Sequence, residues 1–161
     1  MKREYRLLAL PALLIIALDQ ISKLAVDRHI RSYESIPVIS GFFNLVHVRN
    51  RGMAFGILNR TGYDISFYFL VAATIGAIAL LVYWYTRLKD KNRMLVIGLS
   101  FILGGAVGNL IDRLRLREVI DFLDFHIGQY HWPAFNVADS AITVGTFWVA
   151  INLLFQHSSN S

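Results

Sequence analysis

Four stretches of apolar residues, each long enough to cross a bilayer, constrain this chain more than any other feature. They run from Leu7 to Val26, Ser66 to Thr86, Met94 to Ile111 and Ala138 to Phe155. A hydrocarbon core of about 30 Å takes roughly 20 residues of helix, and slightly fewer where flanking side chains snorkel. In lipid each backbone N–H and C=O needs a partner within the segment, so runs of this kind are expected to be helices. With 161 residues, 55% of them hydrophobic and only 17% charged, the chain is too apolar for a water-soluble domain of its size. Little sequence is left between the spans. Residues 1–161 are therefore expected to form one membrane-embedded domain, with outer loops at 27–65 and 112–137.

Lys2 and Arg3 ahead of the apolar run Leu7 to Leu18 resemble a secretory signal peptide. That run passes into Asp19-Gln20-Ile21-Ser22-Lys23 with no small-residue cleavage site, so an uncleaved first span is expected. The absence of cysteine excludes disulfides, thiolate metal sites and a cysteine nucleophile. A net charge of +5 would suggest nucleic acid in a soluble protein. Here the arginines flank spans, so anionic lipid headgroups are the expected partner and nucleic acid is not.

Orientation follows from Lys and Arg near span ends. Lys2, Arg3 and Arg6 crowd the N-terminus, and Arg87, Lys89, Lys91 and Arg93 crowd the short connection between spans two and three. Opposing positives at Arg28, Arg31, Arg49, Arg51, Arg60, Arg113, Arg115 and Arg117 are spread over longer segments and interleaved with acids. Density favours both termini in the cytoplasm. In the first outer loop, Ser40-Gly41 signals a turn and Phe42 to Val48 reads as a short strand or hairpin, followed by a tight turn at Arg49-Asn50-Arg51-Gly52. A small extracytoplasmic sheet lying on the membrane surface is expected there. Tyr130 and Trp132 in the second loop fit an interfacial belt. Ala72, Ala73, Gly76, Ala77 and Ala79 suggest close helix packing by span two, and Gly104-Gly105-Ala106-Val107-Gly108 suggests the same for span three.

In this topology Asp19, Lys23, Asn109, Asp112, Asn136 and Asp139 converge on one face of the bilayer, and Asp121 and Asp124 lie in the loop beside them. Carboxylates at bilayer depth cost about 2.5–3.5 kcal/mol each at a helix centre, so they mark either a site or a paired contact. Two carboxylates sharing a site hold one proton between them, which supplies a general acid and a general base at once. Plain structure also accounts for several of these residues. Asn136 with Asp139 reads as a helix N-cap with an acid in the first turn, Asp19 with Lys23 as an i,i+4 ion pair, and Asp112 with Arg113 as another pair. His29, His47, His126, His131 and His157 lack metal-ligand spacing, so no metal is expected.

Five blocks then carry a resemblance over nearly the whole chain. They are Asp19-Gln20-Ile21-Ser22-Lys23, Asn50-Arg51-Gly52-Met53-Ala54-Phe55, Gly108-Asn109-Leu110-Ile111-Asp112-Arg113, Val119-Ile120-Asp121-Phe122 and Phe135-Asn136-Val137-Ala138-Asp139-Ser140. In order and spacing the sequence resembles the lipoprotein signal peptidases (signal peptidase II), aspartic intramembrane proteases of bacteria. Met53 and Ile120 depart mildly from the family pattern.

The resemblance implies a four-helix membrane fold with a surface cradle, in the bacterial cytoplasmic membrane, with its active site near the outer leaflet. It implies Asp121 and Asp139 as the catalytic pair, with Asn50, Gly52, Asn109, Arg113 and Asn136 on the substrate. Asp19, Lys23, Gly105, Gly108, Asp112 and Ala138 fall in supporting places, and Asp124 matches no catalytic position. The implied substrate is a diacylglyceryl-modified prolipoprotein cut just before its lipid-bearing cysteine. Inhibition by globomycin is implied, no cofactor is needed, and a monomer is expected. A proton- or ion-coupled carrier using the same carboxylates is the alternative; it would show repeated halves or paired broken helices, and the sequence shows neither.

Overall fold

The computed structural model describes residues 3–52, 64–88 and 92–158. Its elements are α1 (Arg3–His29), β1 (Ser35–Ile39), β2 (Phe43–Asn50), α2 (Asp64–Arg87), α3 (Arg93–Leu116), β3 (Val119–Ile127), β4 (Tyr130–His131) and α4 (Val137–Ser158). Four helices are long and apolar enough to cross a membrane, over Tyr5–His29, Ile65–Arg87, Arg93–Leu116 and Val137–Phe155. These coincide with the four apolar runs of the sequence. Lys2, Met53, Ala54, Phe55, Arg60, Lys89 and Lys91, used above for orientation or resemblance, lie outside the described residues.

The central helix is α3, which packs against each of the other three, while α2 leans mainly on α3. Its glycines explain the closeness. A Cβ on Gly104 would stand 2.8 Å from the Ala12 carbonyl oxygen of α1, and one on Gly105 would run into the Ala138 carbonyl oxygen of α4. The expectation for Gly104 to Gly108 therefore holds. The one for α2 does not: Ala72, Ala73, Gly76, Ala77 and Ala79 are all exposed, and a Cβ on Gly76 would touch nothing within 4 Å. What α2 turns to α3 is larger, with Tyr85 packed among Leu95, Val96 and Leu99, and its small-residue side faces outward.

At the far end of the bundle from the sheet, Leu8, Tyr85, Leu95, Val96, Leu99 and Val149 form one core cluster. At the other end, Val26 of α1 and Ile30, just past its end, pack on Ile120 and Phe122 of β3. The four strands form an antiparallel sheet in chain order, β1-β2-β3-β4. Gly41, at φ +75°, makes the β1–β2 turn where Ser40-Gly41 signals one.

Three local expectations change. The segment after α3 is a strand, not a loop, and Val119–Ile127 pairs with β2 from Phe43↔Phe125 to Asn50↔Val119. Arg49 and Asn50 belong to β2, so among the described residues the bend falls on Arg51 and Gly52. The third helix continues past Ile111 to Leu116 and closes on Arg117, whose left-handed φ of 60° lets its N–H donate to the Arg113 carbonyl at 2.9 Å. Polar side chains hid that last turn, because Asp112 and Arg113 face protein rather than lipid.

Candidate active site

The start of α4 is held by a reciprocal cap. Asn136 Oδ1 accepts from the Asp139 N–H at 2.9 Å, and Asp139 Oδ2 accepts from the Asn136 N–H at 3.2 Å. A second carboxylate, Asp19 on α1, accepts from the Ala138 N–H at 2.9 Å. Acids gather here because the first turn of a helix exposes unpaired N–H groups and a positive dipole end. The cap reading of Asn136 and Asp139 is thus correct. It does not exhaust them.

Asp139 Oδ1 also accepts from Asn109 Nδ2 of α3 at 2.8 Å. Asn136 Nδ2 donates to Asp121 Oδ1 at 2.7 Å, and Asn50 Nδ2 of β2 donates to Asp121 Oδ2 at 3.0 Å. Asn50 in turn accepts from the Gly52 N–H at 2.9 Å. The strand end carrying Asn50 is pinned by its neighbours, since Arg49 and Arg51 both donate to Glu118, at 2.8 and 3.2 Å. Each oxygen of both carboxylates therefore receives an N–H from a fixed amide.

Beneath this pair lies a buried ionic cluster. Lys23 Nζ stands 2.8 Å from Asp19 Oδ2, 2.8 Å from Asp112 Oδ2 and 2.9 Å from Asn109 Oδ1. The i,i+4 pair of Asp19 with Lys23 is present, but Asp112 pairs with Lys23 rather than with adjacent Arg113. One helical step turns neighbouring side chains about 100° apart, so Asp112 points to α1 while Arg113 points into the cavity. Gln20 Nε2 joins the cluster, donating to Asp112 Oδ1 at 2.9 Å. It lies inside the first motif block yet had no assigned role. A Cβ on Gly108 would sit 2.7 Å from Asp19 Oδ2, so this glycine leaves room for the cluster itself.

A cavity of about 460 Å³ opens over the two carboxylates. Its polar lining includes Asn50, Gly52, Asn109, Arg113, Asp121 and Asp139, and Trp132, Phe135 and Val144 are among the apolar residues that complete it. Asn136 is absent from that lining, being wholly buried and occupied with both carboxylates. It positions rather than faces a ligand. Arg113 lies within Coulombic reach of Asp139, Asp121 and Asp112 and brings positive charge to the cavity. Trp132 reads in sequence as interfacial belt, and Phe135 opens the fifth motif block without an assigned role. They reach the cavity because Phe135 hydrogen-bonds back to Leu123 of β3.

Burial and the nearby Asp139 charge push the Asp121 carboxyl up to about 7, against the opposing hydrogen bonds from Asn50 and Asn136. Asp124 behaves differently. Three residues along the strand, it faces the opposite side of β3. Against the upward push of burial, hydrogen bonds from His131 and Asn44 hold its carboxyl below the ordinary value. Asp124 is structural, tying β4 and β2 to β3 at 2.9 and 2.8 Å. Among the described residues no group of three or more acids and histidines is arranged to hold a metal.

Comparison with known proteins gives the same outline. The family Peptidase_A8, signal peptidase (SPase) II, matches residues 11–155. The lipoprotein signal peptidase of Oleidesulfovibrio alaskensis is 50% identical over 94% of this chain and 96% of its own. That of Geobacter metallireducens is 44% identical over 96% and 94%, and that of Syntrophus aciditrophicus 41% over the full length of both. A bacterial membrane enzyme solved by the in meso method at 2.3 Å superposes with a TM-score of 0.84 at 33% identity, covering 94% of this chain and 90% of that one. Four spanning helices, a four-stranded sheet across one end and sequence agreement over nearly the whole length lead to one conclusion: the chain belongs to the signal peptidase II family.

Proposed function

We propose that this multi-pass protein of the bacterial inner membrane is an aspartic endopeptidase that removes signal peptides from diacylglyceryl-modified prolipoproteins, cutting just before the lipid-bearing cysteine. The observation that carries the aspartic reading is the pair Asp121 and Asp139, both lining one cavity and both held by side-chain amides. With its carboxyl pushed up to about 7, Asp121 is the member of the pair that carries a proton near neutral pH.

Ionised Asp139 takes a proton from water, whose oxygen attacks the scissile carbonyl carbon, and Asp121 gives its proton to the carbonyl oxygen. As the tetrahedral intermediate collapses, that oxygen returns its proton to Asp121. The C–N bond breaks, and Asp139 passes its proton to the departing amine of the cysteine. The pair ends with the single proton it began with, so no metal and no nucleophilic side chain is required. Arg113, Asn50 and Gly52 are the groups positioned for the extended peptide, and the apolar wall formed by Trp132, Phe135 and Val144 suits the lipid and signal segment.

The site lies at the end of the bundle where α1 and α3 finish and α4 begins. With both termini in the cytoplasm, that end is the outer leaflet, where the substrate's acyl chains are anchored. Globomycin inhibition and action as a monomer belong to the same proposal. Separate Asp121→Asn and Asp139→Asn variants, assayed on a diacylated prolipoprotein in detergent, are expected to lose about 10³-fold or more in rate. Near-normal cleavage by either folded variant defeats the assignment.

A further inference from the structure

Lys23 touches neither carboxylate of the pair, and the steps above leave it unused. It is only 2% exposed, on a helix at bilayer depth. A buried ammonium is costly unless each of its protons is received. Here three acceptors surround it: Asp19 Oδ2, Asp112 Oδ2 and Asn109 Oδ1, all within 2.9 Å. Two carboxylates already more than balance its charge. The third contact goes to a neutral amide, on the residue that holds Asp139.

An asparagine side chain carries an oxygen on one arm and an NH₂ on the other, nearly equal in size, and its partners decide which arm points where. An ammonium only donates, so the arm of Asn109 that meets Lys23 is the oxygen. The NH₂ arm is thereby turned on Asp139 Oδ1, 2.8 Å away. Asn136 Nδ2 supports the same arrangement from 3.2 Å, and its own orientation is set by the Asp139 N–H on its oxygen. We propose that Lys23 is a positioning residue for hydrolysis: it locks the Asn109 amide so that an N–H donor faces Asp139 and keeps that carboxylate an acceptor, free to take the proton of water. The inference rests on the aspartic reading above.

Without Lys23, only the longer contact from Asn136 Nδ2, at 3.2 Å, opposes a turn-over of Asn109. Its carbonyl then meets Asp139 Oδ1, and two acceptors in contact favour a proton on Asp139, the wrong member of the pair. Lys23 thus selects the resting proton site through one intervening amide. The charged groups around this relay are Asp19 from α1, Asp112 and Arg113 from α3, and Asp121 from β3. Of these and Lys23, Lys23 alone donates to Asn109 Oδ1.

Lys23→Met by itself strands two buried carboxylates, so the variant to use is Lys23→Met/Asp112→Asn, whose cluster keeps the same net charge of minus one as the wild type. With the full-length enzyme and a diacylated prolipoprotein, kcat is expected to fall about 30-fold with KM changed by less than about twofold. The acid limb of the pH profile is expected to move to higher pH by about one unit. Lys23→Gln/Asp112→Asn restores an N–H donor without charge and is expected to be at least about fivefold faster than the Met variant. Equal kcat in the two variants, or a wild-type pH profile in the Met variant, overturns the proposal. If the Met variant does not accumulate as folded protein, the Gln variant decides against wild type. A loss beyond about tenfold then means that charge, not the hydrogen bond, is what matters, and the proposal fails. Asp121→Asn and Asp139→Asn run alongside. Activity in either defeats the aspartic reading itself, whereas inactivity in both beside a wild-type Met variant defeats only the role of Lys23.

Discussion

At the scale of single residues, the site separates two aspartates that look alike in sequence. Asp121 and Asp124 are both buried on the same strand and both accept from asparagine amides, yet Asp121 lies near the Asp139 charge while Asp124 is bonded to a histidine. The consequence for Asp121 has a definite sign. Its carboxyl rises on folding from 3.8 to about 7, so the folded protein favours the neutral form. The stability this contributes is complete below pH about 4 and is lost as pH climbs through about 7. Catalysis follows the same titration if Asp121 is the acid. Rates measured from pH about 5 to about 9 at constant ionic strength are expected to fall on the alkaline side with a midpoint near 7. A rate still rising through pH about 8 removes Asp121 from that role.

At the scale of elements, two glycine-bearing helices that read alike behave in opposite ways. On α3, Gly104 and Gly105 face the backbones of α1 and α4, whereas on α2 Gly76 faces outward with nothing against it. Gly105→Ala is therefore expected to force α3 from α4 and cost about 1–3 kcal/mol, lowering the melting temperature in detergent. Gly76→Ala is expected to be neutral or to stabilise by up to about 1 kcal/mol, as helix propensity favours alanine. Equal melting of the two variants contradicts the packing described. The strand β3 carries the other lesson at this scale. Val119 to Ile127 falls within the outer loop expected between spans three and four, and its acids interrupt the apolar alternation of a half-buried strand. Both of its faces are buried, so that alternation was never required.

At the scale of the whole molecule, the sheet covers one end of the bundle and the hydrophobic cluster around Tyr85 and Leu95 fills the other. Orientation in the membrane follows from which end faces out, and the lack of native cysteine makes it directly measurable. Tyr130→Cys, at an 87% exposed position in the edge strand β4, is expected to react with an impermeant maleimide added to intact spheroplasts. Arg93→Cys, at the start of α3, is expected to react only after permeabilisation. The reverse pattern inverts the topology. What the sequence determined by itself was whatever depends on local composition: the four spans, the hairpin turn at Gly41, and the motif blocks that name the family. What only the tertiary structure decided was pairing. Asp112 chooses Lys23 over its neighbour Arg113, Asn136 closes over both aspartates, and Asp121 and Asp139, eighteen positions apart, come to line one cavity. The reason is physical. Insertion into lipid is settled residue by residue along a segment, whereas a buried hydrogen bond depends on which way a side chain faces once three helices and a strand have met.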